Sequence, residues 1–205
     1  MMRILAYTLF LLLGASLADA NTVDERDPVT IITQATTNIF EVLDTRRVEF
    51  TENPELLANV VRENMLPLID TVYSARLILG RAGREVSPEH LLAFSDALSE
   101  VLINRYSDSL IEFTYEELLQ VMPMKGNNTD KLTRVRTRIR LTTGGFVPVD
   151  FAFHKTGSGW KAFDVTVEGI SYVITFRNQI SPRVQADGIE KVTADIIAGN
   201  LAFDE

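Results

Sequence analysis

Partway along this chain the apolar side chains pass from helical spacing to strict alternation, and that change constrains the fold more than any other feature. From Asn21 to about Met122 they recur at helical spacing. From Val135 to Val167 they alternate with polar residues one for one. A chain that is helical first and strand-like later cannot be a pure bundle, nor a pure sandwich or barrel. It reads as α+β, with amphipathic helices laid on one face of an antiparallel sheet.

The helical part is punctuated clearly. Asp27-Pro28 is an N-cap followed by proline at the first helical position, and Ile31, Ile32, Ala35, Ile39, Val42 and Leu43 follow on one face. Asn53-Pro54 repeats the start signal before Leu56, Leu57, Val60 and Val61. Pro67 divides this helix from a third, which carries Ile69, Tyr73, Leu77 and Ile78 and stops at Gly80. Ser87-Pro88-Glu89 opens a fourth with Leu91, Phe94, Leu98, Leu102 and Tyr106 along one stripe. The stretch Tyr115 to Met124 is ambiguous between helix and strand.

In the alternating part, Val135, Ile139 and Leu141 are interleaved with Arg134, Arg136, Arg138 and Arg140. Gly144-Gly145 turns the chain into Val147, Val149, Phe151 and Phe153. Thr156 to Gly159 turns it again, into a strand where Phe163, Val165 and Val167 share a face. These are three strands of a meander. Two helices follow, Ile170 to about Gln179 and Asp187 to about Ala198.

The amino terminus has its own signature. Arg3 precedes the apolar run Ile4 to Leu13, and Ala18-Asp19-Ala20 offers a small-x-small cleavage pattern. The run is about half the ~20 residues that a spanning helix needs. Residues 1–20 therefore read as a cleavable signal peptide, and 21–205 as a single domain. The chain has no cysteine, which removes disulfides, thiolate metal sites, lipoprotein anchors and cysteine nucleophiles together. Its net charge of −8 argues against nucleic acid and against residence on an anionic membrane.

Catalytic signatures are sparse. There is no glycine-rich phosphate loop, nucleophile elbow or His-Glu-x-x-His. His90 and His154 are the only histidines and form no ligand cluster in sequence. Asp150 and Asp164 lie at strand positions opposite in parity to the apolar residues, which places them with the arginines and predicts cross-strand ion pairs. The alternating arginines read first as a solvated strand face, and alternatively as a docking surface for an acidic partner or lipid headgroups.

The run Trp160 to Val173, with Trp-x3-Asp-Val-x2-Glu-Gly-Ile-Ser at its centre, and Arg177-Asn178-Gln179 beyond it, resembles the signature of the MlaC family. Leu66-Pro67, Asp70, Leu79-Gly80-Arg81, Ser87-Pro88-Glu89, Phe94, Leu102 and Arg105-Tyr106 match the helical pattern of that family in order. One departure is Gly83, where the family usually has tryptophan. The resemblance implies a periplasmic phospholipid carrier without catalytic residues or cofactor, phospholipid being the ligand. It implies a curved antiparallel sheet of about four strands, with helices enclosing an apolar cavity, the first strand ending the Tyr115 to Met124 stretch. It also implies two partners: an inner-membrane MCE-domain ABC transporter complex and an outer-membrane lipoprotein–porin complex, served by a freely diffusing monomer. The alternatives are a carrier of another hydrophobic ligand, such as a hopanoid or a solvent, or an enzyme on a similar helix-plus-curved-sheet fold.

Candidate lining residues come from strand parity and helix spacing. They are Val135, Ile139, Val149, Phe151, Phe163, Val165 and Val167 from the sheet, and Tyr73, Leu77, Phe94, Leu98, Ile170, Val173 and Ile174 from helices. Arg177 is a candidate for the phosphate, with a structural ion pair as its alternative.

Overall fold

The computed structural model describes residues 24–107, 110–111, 119–123, 128–140 and 144–201. The signal-peptide reading of residues 1–20, Leu141, and part of the ambiguous stretch before Leu119 lie outside the described residues. Among the described residues there are six α-helices: α1 (Pro28–Glu52), α2 (Pro54–Met65), α3 (Thr71–Leu79), α4 (Pro88–Tyr106), α5 (Tyr172–Asp187) and α6 (Ile189–Ile197). The strands are β1 (Leu119–Val121), β2 (Leu132–Arg140), β3 (Phe146–Thr156), β4 (Gly159–Val167) and β5 (Ile170–Ser171). They form one open antiparallel meander in the order β1-β2-β3-β4-β5. The α+β expectation holds, with one strand more than anticipated. β5 has two residues and no periodicity of its own, so alternation could not reveal it.

The helix starts follow the local chemistry. Asp27 accepts the Val29 and Thr30 amide protons, Asp70 that of Tyr73, and Ser87 that of His90, each satisfying donors that a helix leaves unpaired. α5 departs from expectation at both ends. It begins at Tyr172, because Ser171 caps it and Ile170 belongs to β5. It then runs through Pro182 to Asp187, past the stop expected near Gln179. A proline inside a helix costs ~3 kcal/mol. Burial of Ile180 and Val184 on the same helix, at 0% and 6% exposure, is of a size to offset it.

Three apolar clusters hold the molecule together. One joins α3, α4, α5 and α6 around Leu79, Phe94, Ile180 and Val192. The second joins α1 to α2 through Ile39, Phe40, Leu43, Phe50 and Leu57. The third lays Ile31 and Ile32 of α1 on Val135, Phe153 and Ala162 of the sheet. A bidentate pair, Arg62 to Glu100 at 2.6 and 2.8 Å, ties α2 to α4, and the guanidinium holds the Glu100 carboxyl below the usual carboxylate range.

The sheet is irregular where it matters most. Asp164 stands opposite Ala152, but Phe153 stands opposite Ala162, so Phe163 is an extra residue in β4. Such a bulge re-aims side chains and sharpens the local twist. Ala162 therefore takes the inward place beside Val135 and Phe153 that simple alternation gives to Phe163. The Phe163 ring instead meets Tyr73 and His154 edge-on, at centroid distances of 5.2 and 5.5 Å.

Gly83 is packed closely. A Cβ there would lie 2.9 Å from both the Arg76 carbonyl oxygen and the Leu79 Cβ. The short turn between α3 and α4 thus closes onto α3 with no room for any side chain at that position.

Candidate functional site

Between α3, α4, α5 and the sheet lies an apolar cavity of about 530 Å³. Its main helical wall is one stripe of α4: Ser95, Leu98, Ser99, Leu102, Ile103 and Tyr106, spaced three, four and seven apart as a single helix face requires. α3 contributes Thr71, Ser74, Ala75 and Ile78, again one stripe, and the turn before it adds Leu66 and Ile69. α5 supplies Tyr172, Val173 and Phe176. The sheet supplies Ile139, Val147, Val149, Ala162, Phe163, Asp164, Val165 and Val167, and Leu110 completes the lining. Register explains the sheet wall: Val149 stands opposite Val167, Val147 opposite Ile139, and these side chains share a face.

Polar atoms in the wall are mostly spent on the fold. Asp164, the only carboxylate of the lining among the described residues, accepts the Ser171 hydroxyl proton at 2.6 Å and the Val173 amide proton at 3.0 Å. It fastens the start of α5 to β4 instead of pairing with arginine, so the ion-pair expectation for Asp164 is corrected. The cause is the bulge and the short β4–β5 turn, which bring α5 back over that carboxylate. The Ser74 hydroxyl bonds to the Asp70 and Phe163 carbonyls, and that of Ser99 to the Ser95 carbonyl. Ser95 Oγ is buried and has no partner among the described residues. Tyr106 and Tyr172 meet edge-to-face at 6.2 Å and join α4 to α5 along the wall.

Of the residues anticipated from sequence, Leu98, Ile139, Val149, Phe163, Val165, Val167 and Val173 line this cavity. The others do not, for separate physical reasons. Val135 and Phe151 lie on the correct sheet face, but α1 covers that end of it. Phe94 and Leu77 pack among the helices, in the cluster that α5 and α6 close. Tyr73 sits beside the α3 stripe and stacks on His154, centroid to centroid 4.3 Å. Ile170 and Ile174 are 62% and 55% exposed, because α5 starts two residues later than expected and turns Tyr172, Val173 and Phe176 inward. Arg177 Nε donates to the Leu77 carbonyl at 2.6 Å and lies against Gly80, where it caps the end of α3 away from the cavity lining.

The candidate set lacked the small and polar lining residues Ser74, Ala75, Ser95 and Ser99, and also large apolar ones such as Ile78, Leu102, Ile103, Tyr106 and Phe176. The i, i+3, i+4 spacing of Ser95, Leu98, Ser99 and Leu102 was the available signal. His154 joins Asp70 at 3.0 Å and His90 joins Glu190 at 3.2 Å, so each histidine is engaged with a carboxylate. Among the described residues no group of three or more His, Asp or Glu side chains could hold a metal ion, and no helix is long and apolar enough to cross a membrane.

An apolar cavity walled by helices on one side and a bulged, open meander on the other defines a protein built to hold a hydrophobic ligand. Comparison with known proteins identifies the family. The MlaC protein family matches residues 33–197, and the chain belongs to it. The toluene tolerance protein Ttg2D of Pseudomonas putida is 25% identical over 184 residues, which covers 88% of this chain and 84% of that protein. The intermembrane phospholipid transport system binding protein MlaC of Haemophilus influenzae is 23% identical over 164 residues, 78% of this chain and 75% of its own. Among solved structures, the phospholipid-binding protein from Ralstonia solanacearum, determined in complex with a phospholipid, superposes with a TM-score of 0.72. It is 18% identical and covers 83% of this chain and 99% of its own, which supports the fold.

Proposed function

We propose that this protein is a periplasmic phospholipid carrier. In this reading it takes lipid between an outer-membrane lipoprotein–porin complex and an inner-membrane MCE-domain ABC transporter, and so helps to maintain outer-membrane asymmetry. The observation that carries the proposal is the cavity of about 530 Å³ walled by Leu98, Leu102, Ile139, Val149, Val165 and Phe176, in a chain of the MlaC family. Its size falls in the range of ~300–1,000 Å³ typical of small-molecule sites.

The energetics favour a carrier. A two-chain lipid with ~30 buried methylenes at ~0.8 kcal/mol each would lose ~24 kcal/mol on entering water, so unaided crossing of an aqueous gap is negligible. An apolar protein cavity replaces the bilayer at nearly equal free energy, and the transfer needs no covalent chemistry. The acyl chains would lie against the α4 stripe and the Val149 and Val167 face, with the headgroup left near the mouth. The net charge of −8 keeps such a carrier from lingering on anionic membranes. The amino-terminal signal pattern and the export it implies belong to the same reading.

Native mass spectrometry of protein purified from the periplasm tests this directly. A mass increment equal to a two-chain phospholipid is the expected result. Protein that is empty, or loaded with a hopanoid or other polycyclic lipid, would overturn the assignment.

A further inference from the structure

The outer face of β2 has no role in the cavity, and its chemistry is unusual for this chain. Arg134, Arg136 and Arg138 project from the side of the strand opposite to buried Val135 and Thr137. With alternate residues ~7 Å apart, the row extends along most of the strand. Among the described residues, the carboxylate facing Arg134 and Arg136 is Asp150, and it stands 3.9 Å from each, beyond hydrogen-bond reach. Arg138 donates to the Gln120 side chain at 2.6 Å, and its guanidinium lies 4.2 Å over the Phe146 ring. Phe146 is itself 41% exposed. Among the described residues one acid therefore serves both Arg134 and Arg136, and Arg136 also donates to the Pro123 carbonyl at 3.4 Å, in a protein whose net charge is −8.

We infer that this face is a docking surface for an acidic segment of a protein partner. Two considerations favour a protein over a lipid surface, and the arginine chemistry itself fixes an anionic partner. A membrane is an extended anionic plane, and it would bring the acidic remainder of this molecule within a Debye length of ~8 Å, where like charges repel. A narrow acidic segment can meet the row alone. All these cations are arginines, whose planar forks grip carboxylates bidentately where lysine offers only a point charge. Arg138 stacked on a half-open aromatic ring is also the kind of anchor that protein interfaces concentrate. Docking here would leave the cavity wall untouched, because it uses the opposite face of the sheet. The inference does not depend on which ligand the cavity takes.

The test is titration of ¹⁵N-labelled protein with a short polyglutamate peptide, followed by amide shifts at two salt concentrations. Shifts confined to β2 and the facing part of β3, weakening as salt rises, are expected. The triple variant R134E/R136E/R138E should bind at least tenfold more weakly, with unchanged circular dichroism and unchanged cavity ligand, and R134K/R136K/R138K should lose a smaller but measurable part. Absent shifts, shifts centred elsewhere, or a lysine variant that binds as tightly as the parent would overturn the proposal. Arginine-dependent binding to phosphatidylglycerol vesicles without binding to the peptide would also overturn it, by assigning the face to a membrane.

Discussion

Asp164 accepts the hydroxyl proton of Ser171 at 2.6 Å, and with its other oxygen it holds the first turn of α5 through the Val173 amide. One carboxylate on the cavity wall thus sets the angle at which α5 leaves the sheet. Charge-assisted bonds of this kind are each worth ~1.5–3 kcal/mol. The variant D164A, which removes both, should lower unfolding free energy by ~3 kcal/mol or more in urea titration. D164N keeps an acceptor for Ser171 and should lose less.

Gly159 packs directly against the entry to α1. Its φ is +111°, and a Cβ there would meet the Asp24 carbonyl oxygen at 2.2 Å. Asp24 bridges to the β3–β4 hairpin through Ser158, so the hairpin receives the entry to α1 only because this position has no side chain. G159A should destabilise by ~1–3 kcal/mol. The Asp24 amide should then exchange with solvent faster than the amides of β3, as read by hydrogen–deuterium exchange.

The same amino-terminal segment should respond to acid. The Arg26 guanidinium beside Asp24 lowers its carboxyl pKa from the ordinary 3.8 to about 2. A carboxylate whose folded value lies below its unfolded value stabilises the protein fully above the unfolded pKa and ceases to do so as the pH falls through the folded one. The contribution of the Asp24–Arg26 pair should therefore be intact at pH 5 and fade between about pH 4 and 2. The protection of the Asp24 amide, taken relative to the intrinsic exchange rate at each pH, should fall over that window, and R26A should remove this pH dependence.

Much of this fold is written in local signals, and the site is written only in part. Asp27-Pro28, Asn53-Pro54 and Ser87-Pro88 mark helix starts because caps and proline act within a few residues. Val149 and Val167 could be paired by alternation because their strands are regular at that point. The partner of Phe153 could not, since a single inserted residue reverses parity and no residue type announces it, although Phe163 still lines the cavity. Val135 and Phe151 carry the correct face, yet whether α1 or the cavity covers them is decided by how helices cross the sheet. Pro182 argues locally for a helix end, and burial of its neighbours overrides it.

Ser95 is buried in the cavity wall with its hydroxyl unmatched among the described residues. A buried hydroxyl without a partner costs ~1–3 kcal/mol, and alanine removes that cost with little loss of volume. S95A should leave stability unchanged or raise it by up to ~1 kcal/mol in thermal denaturation. It should also retain purely apolar ligand at least as well as the parent, as measured by competition with a fluorescent fatty acyl probe.

Leu102 lies midway along the α4 stripe and is only half-buried, so a larger side chain there can extend into open space instead of into packed core. L102W adds an indole to a cavity of about 530 Å³, so it should occupy a substantial share of the volume that acyl chains would use. Filling an apolar void restores contacts that its lining lacks, so the melting temperature should be held or raised. Lipid recovered by solvent extraction should nevertheless fall several-fold per mole of protein. The pairing of the two readouts separates loss of ligand from loss of fold, because a misfolded variant would lose both. If L102W retained its full lipid complement at unchanged stability, the acyl chains would have to lie outside the space between α4 and the Val149 face, and the proposed site would be wrong.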